Sequence, residues 1–96
     1  MPAAARQGDA GVVHCGGYVI ASGSPDVLIE GKPAARVGDL STTHLMPGGK
    51  HCVPHAAAIA TGSATVFING RPAARVGDYL SGCTQIAQGS ATVIIG

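Results

Sequence analysis

GSATVFINGRPAARVGD, Gly62 to Asp78, occurs almost unchanged once before, as GSPDVLIEGKPAARVGD, Gly23 to Asp39. The two copies lie 39 residues apart and agree at 12 of 17 positions. A third copy is split between the chain ends: GSATVIIG is Gly89 to Gly96, and AAARQGD is Ala3 to Asp9. The chain therefore reads as three repeats cut open within one of them, and a repeat of this kind governs every other element. Residues 3–9 and 89–96 are expected to pair with each other and complete the third repeat.

Within a repeat the local chemistry is that of strands and turns. Gly-Ser opens a turn, and Val27-Leu28-Ile29 and Val66-Phe67-Ile68 are short β-branched and apolar runs that read as strands. Each ends in a turn pair, Glu30-Gly31 or Asn69-Gly70; Asn-Gly tolerates the two positive φ angles of a type I′ hairpin. Pro33 and Pro72 lack the N–H that a ladder needs and belong at a strand edge or bulge. Ala-Ala-Arg-Val reads as the return strand, closed by Gly38-Asp39 or Gly77-Asp78. Val19 and Ile20 read as another short strand. No segment keeps a 3.6-residue apolar period, so the chain reads as all-β.

Three connectors of unequal length join these near-identical units. Leu40 to Thr61 is the longest and holds His44, His51, Cys52 and His55; Tyr79 to Gln88 carries Cys83; Ala10 to Ser22 carries His14 and Cys15. Function belongs on such loops, held by a repeated scaffold.

The totals explain why a staple is needed. Residues 1–96 read as one small domain, with one Phe, two Tyr, no Trp and 15 Gly. A chain of this length buries only about 60–65% of its unfolded surface, and domains so short of core use a disulfide, a metal or a partner. Three cysteines and a reducing compartment argue against a disulfide framework. Counted from the closing Asp of each repeat, Asp9, Asp39 and Asp78, the fifth residue is His14, His44 and Cys83. Around a pseudo-threefold axis those three side chains converge. A tetrahedral zinc site needs a fourth ligand, for which the long connector offers His55, or alternatively His51 or Cys52. Cys15, next to His14 along an extended chain, is expected to point away from the metal. Arg36 with Asp39 and Arg75 with Asp78 recur with the repeat and are expected to be structural pairs.

Other functions are disfavoured by composition. A net charge of +1 with no basic cluster, CxxC pair or stacking aromatics argues against nucleic acid. No apolar run reaches 18 residues, and Met-Pro-Ala-Ala-Ala-Arg lacks the apolar segment of a secretory signal. Synthesis in the cytoplasm, and exit by another route than general secretion, are the expectation. A small zinc-dependent hydrolase is the alternative to a structural protein; it would need an open metal position and a nearby general base.

PAAR itself stands at Pro33-Ala34-Ala35-Arg36 and Pro72-Ala73-Ala74-Arg75, each within G-[KR]-P-A-A-R-V-G-D. Over its whole length the chain resembles a PAAR-repeat protein, the family that forms the sharp tip of the type VI secretion spike. The resemblance implies a small cone of short strands with one structural zinc near its apex, held by three His and one Cys: His14, His44, His55 and Cys83. It implies a non-enzymatic tip that caps a trimeric VgrG-type spike, one per trimer, and helps to puncture target membranes. Such a tip serves as an adaptor for secreted effectors, touches the target-cell membrane only transiently and is exported on the spike. With no appended toxin domain, a bare tip is expected. Ala3 stands where the motif has proline, which would loosen the register of the closing strand.

Overall fold

A computed structural model of the chain describes residues 2–13, 17–48 and 51–96, apart from the side chains of residues 45–54. Among the described residues every regular element is a strand. These are β1 (Leu28–Ile29), β2 (Lys32–Pro33), β3 (His44–Gly48), β4 (His51–His55), β5 (Phe67–Ile68) and β6 (Arg71–Pro72). They form three antiparallel hairpins, β1–β2, β3–β4 and β5–β6. The body measures 39 × 23 × 22 Å, long in one direction and nearly equal in the other two.

The two short hairpins turn where positive φ is available. Glu30 and Gly31 have φ of 53° and 78°, Asn69 and Gly70 of 53° and 77°, as a type I′ turn requires. The third wall has no such turn and is closed by the chain ends. Ala3 pairs with Ile94 as Pro33 pairs with Leu28 and Pro72 with Phe67. Ala4 N–H donates to the Val93 carbonyl at 2.9 Å and Ile95 N–H to the Pro2 carbonyl at 2.9 Å. The register is kept without the proline. Backbone pairing rather than a fixed φ sets it, so the expected loosening does not occur.

Ala-Ala-Arg-Val does not serve as the hairpin's return strand, which is only Lys32–Pro33 or Arg71–Pro72. The first alanine of each pair still bonds to its own hairpin, Ala34 N–H donating to Val27 and Ala73 N–H to Val66 at 2.9 Å, whereas the second crosses to the other repeats. Ala5 N–H donates to Ala74, Ala74 to Ala35 and Ala35 to Ala5, each at 3.0 Å, so the three repeats close a ring of hydrogen bonds. Ala4, Ala5, Ala34, Ala35, Ala73 and Ala74 are fully buried. Where three backbones meet this closely, a methyl group is all the packing leaves room for.

The same threefold scheme fixes the turns. Gly8, Gly38 and Gly77 have φ of 92°, 95° and 94°, and Asp9, Asp39 and Asp78 each donate N–H to the carbonyl of the Arg three residues earlier at 3.0 Å. This is a type II turn, whose third residue needs positive φ. Within each turn the Arg guanidinium grips the Asp carboxylate with two bonds of 2.8–3.0 Å. The expected structural role of Arg36–Asp39 and Arg75–Asp78 is met, and Arg6–Asp9 makes the third pair.

Two apolar clusters lie along the long axis. Ala4, Ile29, Ala34, Ile68, Ala73 and Ile95 form the one beside the short hairpins. Ala5, Tyr18, Ile20, Ala35, Ala57, Ile59, Ala74, Leu80 and Ile86 form the other, on which Cys83 packs. Followed rung by rung, the short hairpin turns and Cys83 lie at opposite ends of the stack.

Candidate metal centre

At the end away from the short hairpins the three connectors converge. His44 opens β3 and His55 closes β4, and the two face each other on one rung of that ladder. Cys83 is delivered by a turn in which its N–H donates to the Leu80 carbonyl at 3.0 Å, with Gly82 at φ 64°. His44 is buried at 6% exposure, and His55 and Cys83 are half-buried.

The potential ligand atoms form a tight triangle. His44 Nε2 is 2.8 Å from His55 Nε2, and Cys83 Sγ is 3.3 Å from each of them. Ideal tetrahedral zinc places two imidazole nitrogens about 3.3 Å apart and a nitrogen and a thiolate sulfur about 3.6 Å apart, so this triangle approximates one face of such a site. His44 Nδ1 lies 2.8 Å from the Thr42 carbonyl. A carbonyl only accepts, so Nδ1 carries the hydrogen and, in the neutral ring, Nε2 presents its lone pair inward. Three lone-pair donors this close repel unless a proton or a cation lies among them. The group could hold a metal ion, and the donor set fits one that accepts nitrogen and sulfur.

Of the ligands expected from the sequence, His44, His55 and Cys83 come together. His14 lies outside the described residues, as do Cys15 and the side chains of His51 and Cys52. On the β3–β4 ladder His51 pairs with Gly48 and Cys52 with Pro47. Their backbones therefore stand four and three rungs from His44–His55, roughly 13 and 10 Å along the strand.

Two neighbours of the group have no periodic signal in the sequence. The Tyr18 ring stacks on His44, centroids 4.5 Å apart and planes inclined by 29°. Its hydroxyl lies 3.1 Å from Thr84 Oγ1 and 3.3 Å from the Gln85 carbonyl and shares its one hydrogen between them. Burial pushes the Tyr18 phenol above its ordinary pKa; the Thr84 hydrogen bond opposes that and the charge of Cys83 adds to it. Ser41 Oγ accepts from Ala57 N–H at 3.0 Å and donates to the Thr42 carbonyl at 3.1 Å, fixing the group that orients His44.

Acidic groups are engaged elsewhere. Asp9, Asp39 and Asp78 are held by the repeat arginines. Asp26 accepts from Asn69 Nδ2 at 2.8 Å, and Glu30 pairs with Arg6 at 3.3 Å. The acids thus belong to the scaffold.

A family model described as the PAAR motif matches residues 2–44 and 50–96. No curated protein matches the chain. The chain belongs to the PAAR-motif family, a family of structural proteins associated with the spike tip of type VI secretion systems.

Proposed function

We propose that this PAAR-motif chain is a structural tip that caps and sharpens a trimeric VgrG-type spike, one chain per trimer. The observation that carries the reading is the closed ring Ala5–Ala74–Ala35. One polypeptide presents three near-equivalent walls, which lets a monomer meet a threefold partner without symmetry breaking at the joint. Leu28, Phe67 and Ile94 occupy equivalent positions on those walls and are 60%, 58% and 59% exposed. Apolar surface repeated threefold at the short-hairpin end suits burial against a threefold partner.

At the other end, one structural zinc is held by His14, His44, His55 and Cys83. Such an ion closes the connectors without needing core volume; apparent binding of structural zinc contributes roughly 10–16 kcal/mol in small domains. With all four positions taken by protein there is no site for an activated water, so the metal is structural rather than hydrolytic. The chain is made in the cytoplasm, leaves on the spike, crosses a target membrane only in passing and serves as an adaptor for effectors.

Co-expression with the cognate trimeric spike, followed by native mass spectrometry, tests the docking. The expected complex has one chain per trimer, and Phe67→Glu weakens it at least tenfold. A stoichiometry of three per trimer, or no complex with any such spike, overturns the reading.

A further inference from the structure

Tyr18 stands at a place where the threefold scheme breaks down. The bonds Gly11 N–H to Tyr18, Ser41 to Ala57 and Leu80 to Thr84 occupy matching rungs. Tyr18, Ala57 and Thr84 are therefore equivalent positions, as are Gly11, Ser41 and Leu80. One aromatic ring occupies a layer to which the other repeats contribute a methyl group and a hydroxyl.

The surroundings are shaped to that ring. A Cβ added at Gly11 would lie 1.9 Å from Tyr18 Cζ, so the absence of a side chain at Gly11 is what admits it. The ring is 4% exposed. Its hydroxyl reaches Thr84, the residue next to Cys83, and Thr84 Oγ1 in turn donates to the Val12 carbonyl at 2.5 Å. The face of the ring lies against His44. A single side chain from the first connector thus touches the ligand-bearing part of each of the other two.

Accordingly, we infer that Tyr18 is a positioning residue for the metal centre, fixing the His44 imidazole by stacking and the Cys83 turn through Thr84. Its effect is on how long the ion is held and on the ligand-field geometry. The inference rests on His44, His55 and Cys83 binding a metal. Partners that orient ligands without touching the ion change metal affinity by about 10–100-fold when removed.

The test uses the full chain loaded with zinc, and separately with cobalt(II). Release of zinc to excess chelator should be about 10–100-fold faster in Tyr18→Leu, and the cobalt d–d bands should shift. Gly11→Ala, which expels the ring without altering it, should do the same. Tyr18→Phe keeps the stack, so it should restore the cobalt spectrum and release zinc within about tenfold of wild type, the scale of one lost hydrogen bond. In the zinc-loaded wild type, nuclear Overhauser contacts should join the Tyr18 and His44 rings, a result that needs no variant to fold. Wild-type release rate and spectrum in a folded Tyr18→Leu protein, or missing ring contacts, overturn the positioning role while leaving the metal site standing. A wild-type chain that binds neither metal removes both.

Discussion

The two ends of this molecule are built from one repeat and held in opposite ways. Toward the short hairpins all but the hairpin turn itself, which two walls have, comes in threes. Gly23, Gly62 and Gly89 lie where a Cβ would meet the carbonyl oxygens of Ala34, Ala73 and Ala4 at 2.7–2.9 Å. The buried hydroxyls of Ser24, Ser63 and Ser90 each accept N–H groups from the following turn. The same hydroxyls donate onward to Asn69 Oδ1, the Gly96 carbonyl and Glu30 Oε1, linking each wall to the next. Toward the ligand end the repeats diverge into Tyr18, Ala57 and Thr84, and among the described residues β3–β4 has no counterpart. Backbone bonding can be copied threefold, but a site with unlike ligands cannot. Symmetry therefore serves the scaffold, and its loss serves the site.

The contrast is tested most severely by removing the metal. Chelation or Cys83→Ser should lower the melting temperature by at least about 40 °C, or leave the ligand end unfolded outright, given roughly 10–16 kcal/mol of binding energy and ~4–8 °C per kcal/mol in a domain of this size. Native-state hydrogen exchange should show fast amides in residues 40–43 and 57–60 while those of Ala5, Ala35 and Ala74 remain slow. If the alanine amides accelerate equally, the two ends are one cooperative unit and the division fails.

A smaller effect sharpens it within the scaffold. Arg36→Ala leaves Asp39, buried at 3% exposure, with only the half-exposed Arg71 guanidinium 3.9 Å away as its cation and should cost about 3 kcal/mol in urea unfolding. The Arg75 side chain is 23% exposed, so water replaces part of its pairing and Arg75→Ala should cost about 1–2 kcal/mol. Equal losses would mean that burial does not distinguish the walls.

The smallest effect is titration of the scaffold in chelated protein. Burial pushes the Asp39 carboxyl up, but the hydrogen bonds and charge of Arg36 outweigh it and leave the group below the usual carboxylate range. A depressed folded-state pKa stabilises above the unfolded value and is lost as pH falls through the folded one. Stability should therefore decline below about pH 4, with a shallower acid limb in Asp39→Asn.

What could be read from the sequence follows the same division. The split repeat, the positive-φ turns at Glu30-Gly31 and Asn69-Gly70, and the Arg–Asp pairs were legible because one local chemistry is written out repeatedly. The destination of the alanines was not. Nothing in Ala34-Ala35 distinguishes a return strand from a segment crossing to the other repeats, since both need extended backbone and a small side chain. The β3–β4 ladder was hidden by Pro47, Pro54 and the intervening glycines, which locally favour turns over strands. His44 and Cys83 were found by their equal offset from Asp39 and Asp78. Tyr18 carries no such offset; only its fit over Gly11 marks it, and that is a property of three dimensions.

Under the proposed role at a spike tip, the alanine ring also bears on how such a body would survive being driven point-first. Thrust along a slender object tends to burst it outward. Bonds from Ala5 to Ala74 to Ala35 run around the girth, like the hoops of a cask, and so resist that hoop stress. The wall built from residues 2–9 and 89–96 is joined across its seam by Ala3–Ile94 pairing and by the bonds of Ala4 N–H to Val93, Ile95 N–H to Pro2 and Ser90 N–H to Ala4.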